Sequence, residues 1–115
     1  MKKIIIVLSV IFTLSTSVHA EYIKGKLLIE YWHAHKKATA GNVNRNADAG
    51  FYRGYVLSVV DSYSDKRFVI PITLKAGTIY TMVGNWLDNH PSELTRPAVD
   101  LVVEALQTAF PLKRK

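Results

Sequence analysis

Residues 95–111 read TRPAVDLVVEALQTAFP, and this stretch decides the class of fold. Ala98, Leu101, Val102, Ala105, Leu106 and Ala109 recur at steps of three and four, which lines one face of an α-helix. Thr95 is placed to cap that helix, Pro97 is tolerated in its first turn, and Phe110-Pro111 ends it. It is the most regular apolar stripe in the chain.

Three further segments upstream carry the same signature. Ile79, Met82, Val83, Trp86 and Leu87 predict a helix that Thr73 can cap and that Asn89-His90-Pro91 stops, although Gly77 and Gly84 weaken it. Before it, Phe68-Val69-Ile70-Pro71-Ile72 reads as a short extended apolar segment crossing the edge of the core, because Pro71 keeps it out of a helix. A helix beginning near Asp48 as N-cap places Phe51, Tyr52, Tyr55, Val56, Val59, Val60 and Tyr63 on one broad face. Gly54 in its middle costs helix stability, so its expected use is the close approach of a neighbouring helix. In the first helix, Ile23 to about Lys37, the predicted stripe is Ile23, Leu27, Tyr31 and His35, widened by Leu28 and Trp32. The polar loop after it, residues 39–46, contains Gly41 and three asparagines. No segment longer than a few residues alternates as a half-buried strand does. The expectation is an all-α, four-helix domain with Tyr55, Val59, Trp86, Leu101, Val102 and Leu106 in one core.

Residues 1–20 have the order of a secretory signal: Lys2 and Lys3, an apolar run from Ile4 to Leu14, then Val18-His19-Ala20. Cleavage after Ala20 leaves Glu21 first, residues 21–115 as the working domain, and the periplasm as its location. The apolar run, interrupted by Ser9 and Thr13, is short against the roughly 20 residues that span a bilayer, so no stable membrane anchor is expected. The chain has no cysteine, which excludes a disulfide scaffold and lipidation through an N-terminal cysteine. Its net charge of +6 drops by two to +4 when Lys2 and Lys3 are removed, a modest excess favouring acidic partners. Lys24, Lys36, Arg53, Arg67, Lys75 and Arg96 are scattered, which argues against nucleic acid, and Lys113-Arg114-Lys115 reads as a solvated tail.

Catalytic chemistry finds little support. His33 and His35 face opposite sides of a helix, so they could chelate one ion only on a strand and are read as surface and boundary histidines; no metal or cofactor is expected. There is no Gly-x-Ser-x-Gly elbow, and Ser62 and Ser64 have no base at a predictable distance. Asp61 and Asp65 could be paired carboxylates, but a helix end and a turn suit them better. Tyr31, Trp32, Phe51, Tyr52, Tyr55, Tyr63, Tyr80 and Trp86 are many aromatics for a small domain and serve either its core or an interface. The protein is read as a binding module and not an enzyme.

Ordered landmarks over nearly all of residues 21–115 carry a resemblance. Leu27-Leu28 with Tyr31, Tyr52-Arg53-Gly54-Tyr55-Val56 followed by Val59 and Asp61, Val69-Ile70-Pro71, Trp86-Leu87 with His90-Pro91, and Ala98, Val102, Ala105-Leu106 with Phe110-Pro111-Leu112 stand in this order. The pattern resembles the Rap/Tai family of immunity proteins, periplasmic helical proteins that neutralise peptidoglycan amidase toxins delivered by type VI secretion. Where that family tends to carry cysteine, this chain has Tyr31, Tyr52, Val69 and Leu112, so the expectation is a core that has exchanged disulfides for packing.

The resemblance implies a periplasmic immunity protein, a toxin inhibitor that binds a peptidoglycan amidase effector of a type VI secretion system by protein–protein interaction, and it allows a homodimer. The alternative is a general periplasmic interaction protein or acid-stress-type chaperone. Two polar turns at helix ends, residues 62–67 and 88–93, are the expected contact surface, through Tyr63, Asp65, Lys66, Arg67, His90 and Glu93.

Overall fold

The computed structural model describes residues 22–40 and 47–113. The expected signal peptide, most of the 39–46 loop, and Arg114 and Lys115 lie outside the described residues. Among the described residues there are four α-helices, α1 Gly25–Thr39, α2 Ala47–Tyr63, α3 Ala76–Asp88 and α4 Ala98–Ala109, with one 3-10 turn, Pro91–Glu93, between α3 and α4. The all-α, four-helix reading holds. Among the described residues the extended pairings are isolated bridges, Lys24 with Pro97, Ser64 with Phe68, and Phe68 with Pro111. None of the described helices is long and apolar enough to cross a membrane.

The helices bury the stripes that their sequences encode, with shifts that have physical causes. In α4, Leu101, Val102 and Leu106 are fully buried, as is Ala98. Burying one such large aliphatic side chain contributes about 1.5–3 kcal/mol. Pro97, not Thr95, stands at the cap position of α4. The segment before α1 explains this, because the Ile23 carbonyl accepts the Ala98 N–H at 2.9 Å and the Gly25 N–H donates to Arg96 O at 3.0 Å. An orphan donor at the helix start is thereby satisfied by backbone, and a threonine cap is not needed. Likewise α3 starts at Ala76 behind Lys75, after a turn closed by Leu74 N–H to Pro71 O, so Thr73 caps nothing. Asp48 lies inside the first turn of α2, where a negative charge favours the helix, and not at its cap.

In α1 the buried line is Leu28, Trp32 and His35, while Ile23, Leu27 and Tyr31 lie along its half-exposed edge. Of the predicted band, His35, Leu28 and Trp32 are buried and Ile23, Leu27 and Tyr31 are not, because α1 is flanked by both α2 and α3 and the tryptophan points between them. In α2, Tyr52, Val56 and Val59 are buried, whereas Phe51 is exposed and Tyr55, Val60 and Tyr63 are half-buried. Of the six residues expected in one core, Val59, Leu101, Val102 and Leu106 are there; Tyr55 and Trp86 form its rim.

The extended segment crosses the core edge as expected. Phe68 is fully buried, and the Val69 N–H donates to Phe110 O at 3.0 Å, which ties the segment to the end of α4.

The close helix approach expected at Gly54 is found elsewhere. A Cβ at Gly54 would meet nothing within 4 Å, but one at Gly84 would fall on the Trp32 indole. A Cβ at Gly25 would likewise press on Leu101 and the Leu94 backbone. Gly84 is therefore what lets α3 lie against the tryptophan of α1.

Candidate functional site

The two predicted turns have different fates. Tyr63 is the last residue of α2 and is half-buried, one side of it packed against the core. Asp65 sits at φ 66°, the left-handed region, where its N–H donates to Phe68 O at 2.8 Å and closes the turn. Asparagine and aspartate tolerate that conformation better than most residues. Lys66 and Arg67 point into solvent.

His90 caps α3. Its Nδ1–H donates to the Trp86 carbonyl at 2.6 Å while its ring stacks on the Trp86 indole, with centroids 3.9 Å apart. This gives one of the helix's terminal carbonyls a partner.

Glu93 and Arg67 do approach a common edge, through a residue not singled out in advance. Arg96 donates to Glu93 Oε1 at 3.1 Å and to Glu104 Oε2 at 2.8 Å. Arg67 and Arg96 in turn line one cleft of about 340 Å³ with Asp100, Val103, Glu104 and Gln107. The hydrogen bond to Glu104, with the added charges of Glu104 and Glu93, raises the Arg96 pKa above its ordinary value. Exposed pairs of this kind contribute little stability. Their effect is to hold an arginine side chain in one orientation on the surface.

The more elaborate constellation lies between α1, α2 and α3. Trp32, His35, Tyr52 and Tyr80 pack ring on ring, with centroids 5.4 Å apart for Trp32–Tyr52, His35–Tyr52 and His35–Tyr80. The Tyr52 hydroxyl donates to Tyr80 O at 2.6 Å. Burial, reinforced by the negative charge of Asp88, pushes the Tyr52 phenol well above its ordinary pKa. At the solvent edge of this layer Asp88 accepts from Trp32 Nε1–H at 2.9 Å and from His33 Nε2–H at 3.0 Å, with Lys36 Nζ at 3.5 Å. Burial opposes the charge on Asp88, but the bonds from Trp32 and His33 and the nearby Lys36 outweigh it and hold the carboxyl below its usual range.

His35 is buried, and Arg53 Nη1 donates to its Nδ1 at 3.2 Å. An arginine can only donate, so His35 Nδ1 must accept and the imidazole proton must reside on Nε2. Burial first, and then the Arg53 charge, lower the His35 pKa below 6.5. The unfolded state therefore binds more protons between 6.5 and that lower value, so stability is full above 6.5 and falls as pH drops through the window. One proton changes stability by at most about 1.4 kcal/mol per pH unit. Urea denaturation at about pH 7 and about pH 5 should show wild type losing stability, with His35→Gln flatter over the same interval. Identical slopes in the two proteins would rule out His35 as the source. Asp88 adds its own loss only at more acidic pH, beginning near 3.8.

Two larger clefts flank these features. One, about 630 Å³, runs between α1 and α3 and is lined by Trp32, His35, Lys36, Thr39, Gly77, Tyr80, Thr81 and Asn85. The other, about 670 Å³, is lined by Val69, Pro71, Ala109, Phe110, Pro111, Leu112 and Lys113. The positions at which the resemblance expects cysteine divide accordingly. Tyr52 is fully buried and Tyr31 packs its ring 4.7 Å from that of Phe51, whereas Val69 and Leu112 are both 42% exposed in the second cleft. Packing stands where cysteine would be for the first two, but hardly for the second two. Among the described residues no three His, Asp or Glu side chains are grouped so as to hold a metal ion.

Periodicity could not have revealed the α1–α3 constellation, because Asp88 lies 56 residues from Trp32. One local signal was present. Gly77, Tyr80, Thr81 and Gly84 recur at helical spacing, so the two glycines read as weaknesses of α3 share the face it turns toward α1.

A family model described as Rap1a immunity proteins matches residues 24–112, a span that includes all four helices. No curated protein matches the chain.

Proposed function

The chain belongs to the Rap1a immunity protein family, and from that premise we propose that it binds and inhibits a peptidoglycan amidase effector of a type VI secretion system. The family makes it an immunity protein against a secreted effector; the amidase, the periplasm and the contact surface are the further steps of the proposal. The observation that carries it is the extent of the match, from the residue before α1 to the segment after α4. A local motif could be shared by chance, but a match over every helix concerns the whole binding scaffold. Inhibition requires only a rigid body that presents surface groups to the effector's cleft, and the polar edge formed by Arg67, Glu93 and Arg96 is such a surface. Export through residues 1–20, with Glu21 as the mature N-terminus, would place the protein where a cell-wall amidase acts.

The test is co-expression of the full chain with the amidase encoded nearest to it, scoring periplasmic lysis and complex formation and sequencing the N-terminus of the periplasmic protein. Protection from lysis, a stable complex and Glu21 as first residue are expected. Alanines at Arg67 and Glu93 should weaken the complex, each by about 1–2 kcal/mol if these side chains are central to it. Failure of every amidase to bind, or an intact Met1 in the cytoplasm, would sink the proposal. A second reading, an acid-stress-type chaperone, draws on one feature, the exposed apolar group of Val69, Ile72 and Leu112. Binding of many unfolded clients at low pH, without any amidase complex, would select it.

A further inference from the structure

The charge of this protein is unevenly placed. Residues 66–75 and 109–115 contain six basic residues, Lys66, Arg67, Lys75, Lys113, Arg114 and Lys115, and no acidic one. The rest of residues 21–115 holds seven basic and nine acidic residues, so the whole positive excess comes from these two short segments. They are remote along the chain, and the fold ties them together. The Val69 N–H donates to Phe110 O at 3.0 Å, Phe68 pairs with Pro111, and Arg67 and Lys113 line one cleft of about 440 Å³ with Gln107, Pro111 and Leu112. Among the described residues Lys66, Arg67, Lys75 and Lys113 form no ion pair. The carboxylates at the edge of this region are Asp65, one residue before Lys66, and Asp100 and Glu104, which share a neighbouring cleft with Arg67; Glu104 is bonded to Arg96.

Beside these cations the fold leaves apolar surface uncovered. Ile72 is 100% exposed, in the turn closed by Leu74 N–H to Pro71 O. Val69 and Leu112 line the cleft of about 670 Å³ with Pro71, Ala109, Phe110, Pro111 and Lys113. The two clefts share Pro111, Leu112 and Lys113, so the apolar surface runs directly into the cationic one. Neither has an acidic lining residue.

Solvated lysines alone mark no ligand, and an apolar patch alone suits many. Side by side they match one kind of surface, a bilayer whose anionic headgroups border an apolar interior. Proteins that lie on such a surface bury apolar side chains at the headgroup boundary while lysine and arginine meet the lipid charges. Ile72 fits this better than it fits a folded partner. With its whole side chain in water it has no protein wall beside it, so a fluid interface can receive it without a preformed pocket.

We propose that this end of the domain binds the surface of an anionic phospholipid bilayer, with Ile72, Val69 and Leu112 entering the headgroup boundary and Lys66, Arg67 and Lys113 meeting lipid phosphates. The association is reversible and lies on the membrane, since none of the described helices is long and apolar enough to cross one. The inference goes beyond the immunity reading and does not depend on which effector is bound.

The test is co-sedimentation of the cleaved protein, residues 21–115, with phosphatidylethanolamine vesicles containing about one-quarter phosphatidylglycerol, beside vesicles of phosphatidylcholine alone. Binding to the anionic vesicles should be at least roughly tenfold stronger and should weaken as salt is raised. Ile72→Asp removes a side chain that makes no packing contact, and should lower binding roughly tenfold or more. Arg67→Gln and Lys113→Gln should each lower it about fivefold. Lys26→Gln combined with Lys37→Gln removes two exposed charges from α1, and should leave binding close to that of wild type. The chain has no cysteine, so Ile72→Cys can carry a single environment-sensitive fluorophore. It should brighten on anionic vesicles, whereas the same probe on Thr95→Cys, at the other end of α4, should not. Equal binding to the two kinds of vesicle, a silent probe at position 72 on bound protein, or an equal loss in the Lys26 and Lys37 pair would overturn the proposal. So would failure to bind anionic vesicles. If Ile72→Asp then weakened an effector complex instead, the face would be a protein-docking one and the immunity reading would stand.

Discussion

Trp32→Ala should cost about 3–5 kcal/mol of folding stability, the range for truncating a large buried aromatic residue. The indole is 3% exposed, is packed against Tyr52 and His35, and donates to Asp88 at 2.9 Å, so its removal opens a cavity and deprives a carboxylate of its shortest bond. Small domains are stable by only about 5–15 kcal/mol, which makes this a large fraction of the total. Gly84→Leu should destabilise for the opposite reason, since its Cβ alone would fall on the indole. Overpacking of this kind costs about 1–3 kcal/mol or more, offset in part by the better helix propensity of leucine. Combined with Trp32→Ala, the new leucine enters the space the tryptophan has left. The double variant should therefore be more stable than the sum of the single changes, with a coupling of about 0.5–3 kcal/mol. Urea denaturation of the four proteins measures it, and strict additivity would show that Gly84 and Trp32 do not share one contact.

Leu106→Ala carries the next largest expected effect, about 2–5 kcal/mol, because the leucine is fully buried near the C-terminal end of α4 and its loss combines transfer free energy with a cavity. A midpoint shift without a change in denaturant slope would mark this as a stability effect alone. Tyr55→Ala is the informative comparison. Tyr55 sits at the rim of the core, where solvent can fill part of the space, and its truncation should cost less than that of Leu106. The reverse order, or a loss at Leu106 below about half a kcal/mol, would mean that the face of α4 is misassigned.

Most of the helical architecture was legible because its signals are local. The α4 stripe needs only its own residues, Pro71 excludes a helix wherever it lies, and the Asn89-His90-Pro91 stop is encoded within three positions. Helix starts were less legible. Thr95 and Thr73 have the chemistry of caps, but the backbone of a distant segment took that role at Ala98, and a local turn displaced the start of α3.

The sequence by itself determined the four amphipathic helices and an extended 68–72 segment at the edge of the core, and its ordered landmarks carried the family. Only the tertiary structure decided which edge of the α1 band is buried, since periodicity marks a band that holds both Leu27 and Leu28, both Tyr31 and Trp32, and the neighbouring helices choose between them. The same holds for the glycines. Gly54, Gly77 and Gly84 are chemically identical in the sequence, yet one faces solvent, one lines a cleft and one meets a tryptophan. The partners of Asp88 on α1, the bond between Arg53 and His35, and the cleft beside them join residues remote along the chain. Periodicity places a side chain on a face of its own helix, but what that face meets is set by how the helices pack together.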